Sequence, residues 1–186
     1  MSTLLDDIAA EFRTAQDGLE TMSTREKALA LNLWIRSRNL VGMDTPETNY
    51  RQLRNCFMGQ ALRHSPHASL PLISSVIYSS VAGRLGLDAQ PCLFPSHVLT
   101  LVAPPPGETL DGDAIPPADT DAPADDPPTA APEGMYLDPY GNPEEVPLGT
   151  LQTTLASYGW QTNTNAFLSR ASPRNIAMRT AHNIRA

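Results

Sequence analysis

The sequence has no long run of apolar residues. A membrane-spanning helix needs roughly 18 or more apolar residues in succession, and no segment of this chain meets that requirement. The first twenty residues carry five acidic side chains, whereas an export signal has a basic start followed by an apolar stretch. We therefore expect the chain neither to enter a membrane nor to be exported.

Cysteine is scarce too. The chain contains two cysteines, Cys56 and Cys92, and its four histidines are scattered along the sequence. This set is too small for a disulfide framework, and its spacing matches no zinc site. We expect no metal and no cofactor, and we expect a reducing compartment, the cytoplasm or the nucleus.

Basic residues are absent from residues 104–134, which hold eight of the acidic residues and nine of the eighteen prolines. The net charge of the whole chain is −7, so the remainder carries only +1. Because this segment has almost no large apolar side chain, we predict a disordered acidic, Pro-rich insert within a single domain spanning residues 1–186. No basic stripe with interleaved aromatics is present, so we expect no direct nucleic-acid binding.

Helical patterns dominate the first half of the chain. Apolar residues at helical spacing from Leu4 to Phe12 predict a first helix. Ser23 and Glu26 have the form of a capping box and predict a second helix, which Gly42 would stop. Thr45 followed by Pro46 predicts a third helix, which would carry Leu53, Phe57, Ala61 and Leu62.

A central buried helix is predicted from Pro71 to the residue before Gly86, with Ser69 as its cap. Three short β-like runs follow, at 89–94, 98–102 and 135–137, and they suggest antiparallel strands packed on that helix. The sequence then returns to helix at 147–158, and again after Ser172 as cap, up to Arg185.

Three segments follow the order of elements that a cysteine-based acyl-transfer site requires. Such a site places a cysteine at the start of a buried helix, where the helix dipole and an imidazole generate thiolate. A histidine comes from a following strand, and an aspartate on the next strand fixes its tautomer. The chain has LPLISSVIYSSVAGRLGL, then FPSHVLTLV with His97, then MYLDPYG with Asp138.

These motifs resemble the truncated transglutaminase-like domain of bacterial SirB-type proteins and of certain fungal F-box proteins. NYRQLRNCFMGQALRH and ALNLWIRSRNLVGM resemble the preceding helices of the fungal members, so the likeness covers nearly the whole chain outside the insert. It implies an α+β, papain-like core over residues 71–140, in which a central buried helix packs on a small antiparallel sheet, with added N- and C-terminal helices. It also implies a parent protein with an F-box before this domain and a hemimethylated-DNA-binding-like domain after it. We expect this chain to be the excised middle domain.

The resemblance places Pro71 where active members carry the nucleophilic cysteine. Proline has no nucleophilic side chain, and it removes one backbone donor from the helix start. His97 and Asp138 are then either catalytic remnants or a structural pair, and Asp138 before Pro139 also suits a turn. Two other nucleophiles stay open: Cys56, in a triad with His97 and Asp138, and the helical serines Ser74 and Ser75.

Candidate binding residues surround this predicted cleft. We select Pro71, Ser74, Tyr140 and Trp160, and note that Trp34 and Tyr50 are aromatics that would suit a cleft or complete a core. Arg51, Arg54 and Arg63 form a basic helix face that is usually solvated but suits carboxylates.

The favoured interpretation is a non-catalytic protein-interaction domain, the substrate-recognition or scaffold part of an F-box subunit of a cullin-RING ubiquitin ligase. Its partners would be a degradation substrate and, through an F-box outside this chain, a Skp-type adaptor. One alternative is a cysteine-dependent, transglutaminase- or protease-like enzyme. The other is a cleft that binds a small molecule or peptide without chemistry.

Overall fold

The computed structural model describes residues 1–115, 134–160 and 164–185. The first half contains five α-helices and two 3₁₀ helices: α1 (Ser2–Ala15), a 3₁₀ turn (Leu19–Thr21), α2 (Thr24–Ser37), α3 (Pro46–Asn49), a second 3₁₀ helix (Leu53–Cys56), α4 (Met58–Arg63) and α5 (Pro71–Arg84). The second half contains β1 (Asp88–Cys92), β2 (Leu99–Ala103), β3 (Met135–Asp138), β4 (Asn142–Val146), α6 (Leu148–Ser157), α7 (Asn165–Leu168) and α8 (Pro173–Arg185).

Helix α5 is the buried centre of the fold, as predicted. Pro71 occupies its first turn, where the missing N–H has no intrahelical partner to lose. Nine of its fourteen residues are buried, including Ile77 and Tyr78. The predicted cap is wrong, because Leu70 holds the N-cap position with no side-chain hydrogen bond. The Ser69 hydroxyl instead pairs with that of Ser74, at 2.8 Å.

The four strands form one antiparallel sheet in the order β1-β2-β3-β4. The three predicted strands are confirmed, with Gln90 opposite Leu101 and Leu101 opposite Tyr136. The sequence does not predict β4, because NPEEV contains a proline, two acids and one large apolar residue. Strand β4 instead forms because the turn after β3 folds the chain back on itself.

Apolar clusters cover both faces of the sheet. On one face, α1, α2 and α5 contribute Phe12, Leu31 and Ile77, which pack with Val102 and Leu137 of the sheet. On the other face a separate cluster combines sheet residues with α6 and α7: Cys92, Phe94, Leu99, Leu101, Tyr136, Leu151, Leu155 and Leu168. The chain is therefore an α+β structure of three layers, helices on both sides of a small antiparallel sheet. Among the described helices, none is long and apolar enough to cross a membrane.

The predicted third helix is broken in the structure. Gln52 and Phe57 both adopt extended backbone angles, and they separate α3, the 3₁₀ helix and α4. Thr45 makes no side-chain cap there. Two predicted N-caps are confirmed: Ser23 and Glu26 form the capping box of α2, and the Ser172 hydroxyl accepts a bond from the Asn175 N–H at the start of α8. Helix α2 ends at Ser37, short of the predicted stop at Gly42.

The predicted insert begins with turns that contact the folded body. Asp111 pairs with Arg25 of α2 at 2.8 Å, and the Leu110 side chain packs against the larger cluster. Residues 104–115 therefore differ from the expectation of a disordered segment, because hydrogen bonds hold them back on α2. Residues 116–133 of the insert lie outside the described residues.

Candidate functional site

His97 lies in the loop between β1 and β2, two residues before β2 begins. The preceding residue, Ser96, has a left-handed backbone with φ of 66°, and the His97 N–H donates to the Phe94 carbonyl at 3.3 Å. This tight turn directs the imidazole toward the end of β3. There the ring meets Tyr140 edge to face, with the ring centroids 5.7 Å apart.

Asp138 ends β3 at an irregularity in the pairing with β4. Its Oδ1 lies 2.9 Å from His97 Nε2, and the same oxygen accepts a bond from the Tyr140 N–H at 3.1 Å. Despite this short distance, His97 Nε2 has no hydrogen-bond partner, because the angle between the ring and the carboxylate oxygen is unsuitable for a hydrogen bond. Asp138 thus serves as a turn residue, and one of its carboxylate oxygens lies in close contact with the imidazole.

Helix α2 holds the turn that carries Asp138 and Tyr140. Three of its polar side chains share one face, at positions 25, 32 and 36. Arg36 donates to the Pro139 carbonyl at 2.9 Å, and Asn32 Nδ2 donates to the carbonyls of Asn142 and Pro143 at 2.9 and 3.0 Å. Arg25 pairs with Glu145 of β4. Sequence reasoning missed these positioning residues, because nothing local pairs α2 with a turn more than a hundred residues away.

The start of α5 carries no thiol. Pro71 occupies this position, and the hydroxyls of the nearby Ser74 and Ser75 form hydrogen bonds with the backbone. Ser74 Oγ accepts from the Gly42 N–H at 3.0 Å, and Ser75 Oγ donates to the Leu99 carbonyl at 3.1 Å. Both serines are fully buried. Within the described residues, no sulfur or hydroxyl forms a hydrogen bond to His97.

Cys56 ends the second 3₁₀ helix and lies beside the start of α5. The Leu70 N–H donates to the carbonyl of Asn55, the neighbouring residue, at 3.1 Å. The residue is 5% exposed, and burial raises the pKa of its thiol, with no imidazole or cation lowering it. Cys92 is fully buried, burial raises its pKa to about 12, and its Sγ donates to the Phe167 carbonyl. Neither environment favours thiolate.

A polar cavity of about 130 Å³ opens beside Tyr140. Its lining combines side chains of α2 with the following loop and the β3–β4 turn: Arg36, Asn39, Val41, Gly42, Met43, Asp44, Pro66 and Tyr140. Gly42 has φ of 83°, and a β-carbon there would lie 3.0 Å from the Tyr140 carbonyl oxygen. Burial, more than the nearby Tyr50 and Asp138, raises the pKa of Tyr140, so its hydroxyl stays protonated and can donate to a ligand.

The two tryptophans do not join His97 in an aromatic contact. Trp160 stacks edge to face on Phe167 at 4.7 Å, and Trp34 packs on Phe12 at 5.4 Å. Trp160, one of the predicted binding residues, therefore packs against α7 and is not brought into ring contact with His97. Among the described residues, no group of three or more His, Cys, Asp and Glu side chains is placed to hold a metal ion.

Gly141 makes the position of the Asp138 carboxylate testable. A β-carbon at residue 141 would lie 2.7 Å from Asp138 Oδ2, so Gly141→Ala must displace the carboxylate. We expect a loss of about 1–2 kcal/mol in the free energy of unfolding, measured in urea, and a shifted His97 ring signal in NMR spectra. An unchanged imidazole signal would contradict the contact with Asp138.

Gly149→Ala is the matched control, since a β-carbon there meets nothing within 4 Å. Gly149 is the second residue of α6, where alanine is the better helix former. We expect this variant to be stabilised by roughly 0.5–1 kcal/mol and to leave the His97 signal in place.

The comparison with known protein families agrees with this geometry. No curated protein and no solved structure matches the chain significantly. A family model described as the transglutaminase-like superfamily matches residues 1–182, which is nearly the whole sequence and includes α5, His97 and Asp138. The chain belongs to the transglutaminase-like superfamily.

Proposed function

We propose that this chain is a non-catalytic transglutaminase-like domain that serves as a protein-interaction module. The observation that carries the proposal is the first turn of α5, which holds Pro71 at the position where the resemblance places a nucleophilic cysteine. An imidazole and a carboxylate are present at 2.9 Å, but acyl transfer also needs an attacking atom. The His97–Asp138 contact then serves to fix the β3–β4 turn against the loop before β2.

The wider role that we propose is substrate recognition or scaffolding within an F-box subunit of a cullin-RING ubiquitin ligase. Its support is the likeness of LPLISS, FPSH and LDPY, and of the preceding helices, to fungal F-box proteins. The chain would be the middle domain of such a protein, and the F-box outside it would bind the Skp-type adaptor. Two free cysteines suit the cytoplasm or nucleus.

A second candidate function is ligand binding without chemistry, and the cavity beside Tyr140 favours it. Arg36 and Asp44 give its lining both charge signs, which suits a small zwitterion or a peptide terminus. A thermal-shift screen of amino acids and dipeptides tests this. A rise in melting temperature that Tyr140→Ala abolishes would support ligand binding, and no rise with any of them would count against it.

The reactivity of Cys56 separates the non-catalytic domain from a cysteine enzyme. Because the thiol is buried and burial raises its pKa, we expect iodoacetamide at neutral pH to label it about 100-fold more slowly in the folded chain than in urea. Mass spectrometry of the digested protein gives separate rates for Cys56 and Cys92.

His97→Ala is the decisive companion variant. A catalytic cysteine depends on its imidazole, whereas a core thiol does not. We expect the Cys56 labelling rate to be the same in wild type and His97→Ala. Rapid labelling of Cys56 that disappears in His97→Ala would overturn the non-catalytic assignment.

A further inference from the structure

Two long stretches of this acidic chain contain no aspartate or glutamate. Residues 48–87 and 146–186 have none, although the chain as a whole carries −7. Eight arginines lie in these stretches, and two of them, Arg84 and Arg170, pair with Asp6 and Asp88. Across the described residues, the other six have no carboxylate partner: Arg51, Arg54, Arg63, Arg174, Arg179 and Arg185.

The fold brings parts of these two stretches together. Helix α8 packs along α5 and reaches the second 3₁₀ helix with its last turn. Between them lies a groove of about 160 Å³, lined by Tyr50, Arg51, Leu53, Cys56, Leu70, Asn183 and Ile184. Arg51 is itself a lining residue, and the exposed Arg54 and Arg185 are the sequence neighbours of the lining residues Leu53 and Ile184. We call this feature the Arg-rimmed groove.

The groove also exposes apolar surface. Tyr50 is 44% exposed, Leu53 is 53% and Ile184 is 44%, and Phe57, which follows Cys56, is 42% exposed. Single exposed apolar side chains are ordinary, but a group of large ones around a concavity marks an interaction site. The sequence predicted Leu53 and Phe57 on one continuous third helix; in the structure that helix is broken between them, and both are exposed.

We propose that the Arg-rimmed groove docks a protein segment that combines carboxylates with bulky apolar side chains. Its arginines match Asp and Glu, which they bind as bidentate partners, while Leu53 and Ile184 receive an apolar anchor. An apolar floor favours a peptide over nucleic acid, whose contacts here would be to phosphates. The proposal deepens the proposed function and rests on it, since it names the face and the chemistry of the partner.

An array of fluorescein-labelled peptides, varied in Glu, Lys and Leu/Phe content, tests the proposal on the full chain. We expect fluorescence anisotropy to show tightest binding to peptides with both Glu and Leu/Phe. The Arg51→Glu/Arg54→Glu double variant and Leu53→Asp should each weaken that binding about tenfold. Thermal melts of the same variants check that they are folded, which their exposed positions favour.

Matched controls lie on α2, away from the groove. Leu33 is 60% exposed and Arg38 is exposed, so Leu33→Asp repeats the apolar change elsewhere and Arg38→Glu repeats one of the two charge reversals. Arg38 makes an exposed ion pair with Glu11, which this variant removes. We expect each to change affinity less than about twofold. Equal losses from groove and control variants would overturn the proposal, because the effect would then be one of net charge.

Three other outcomes would also overturn it. The array could show no preference for acidic peptides, or polyglutamate could bind as tightly as the mixed peptides. The third outcome is that a DNA duplex binds the chain and Leu53→Asp leaves its affinity unchanged. The iodoacetamide rates report separately on the proposed function. If Cys56 stays inert while the array shows no preference, the groove assignment fails and the non-catalytic domain stands.

Discussion

Replacing Leu31 with alanine should lower the free energy of unfolding by about 3–5 kcal/mol, whereas the same replacement at Leu33 should change it by less than about 0.5 kcal/mol. The two leucines lie two residues apart on α2. Leu31 is 0% exposed and belongs to the larger apolar cluster, while Leu33 is 60% exposed. Helix propensity and residue type are identical, so burial is the variable that differs.

The reason for the difference is the cavity that Leu31→Ala leaves between α2 and the rest of the helical layer. Lost apolar transfer and the unfilled volume add, because the surroundings collapse only in part. Urea unfolding followed by far-UV circular dichroism measures both variants, with the wild type as reference. Equal effects at the two positions would show that the face of α2 that carries Leu31 is not buried in the larger apolar cluster.

The elements that are predictable from the sequence are those whose signals are local. The capping box of Ser23 and Glu26, the Ser172 cap and the proline in the first turn of α5 each act within one helical turn. Short motifs also predict the order of the helix and strands from which we selected His97 and Asp138. Such features depend little on the remainder of the fold.

The elements that could not be predicted depend on distant partners. The predicted third helix breaks at Gln52 and Phe57. Within the broken segment, the Asn55 carbonyl accepts a hydrogen bond from the N–H of Leu70, a residue that is distant in sequence. Strand β4 exists because β3 and α2 both bind it, although its own composition disfavours a strand. Position 71 is the converse case, since a proline that starts the helix stands where the resemblance led us to expect a cysteine.

Asn32 belongs to a helix that the sequence predicts, and its side chain binds β4, a strand that the sequence does not predict. It is fully buried, and its Nδ2 donates to the backbone carbonyls of Asn142 and Pro143, the first two residues of β4. Because both carbonyl oxygens are acceptors, the side-chain group of Asn32 that faces them must be its amide nitrogen, which is the donor. Removing the donor takes a hydrogen bond from two part-buried carbonyls, at about 1 kcal/mol for each.

Asn32→Asp should therefore be strongly destabilising at neutral pH and much less so in acid. A carboxylate at residue 32 would be buried facing two carbonyl oxygens, so its pKa in the folded chain must rise above the unfolded value of about 3.9. A raised folded pKa means that stability is retained below the unfolded pKa and lost as the pH rises above it. The loss should be about 1.4 kcal/mol per pH unit, up to the folded pKa.

Urea unfolding at several pH values between about 4 and 7, with wild type and Asn32→Ala measured in parallel, checks this expectation. Asn32→Ala cannot ionise, so its deficit relative to wild type should be nearly constant with pH. The Asn32→Asp deficit should grow by about 3–4 kcal/mol over the same range. A constant deficit for Asn32→Asp would mean that residue 32 reaches water, and that α2 does not hold the turn carrying Asp138 and Tyr140.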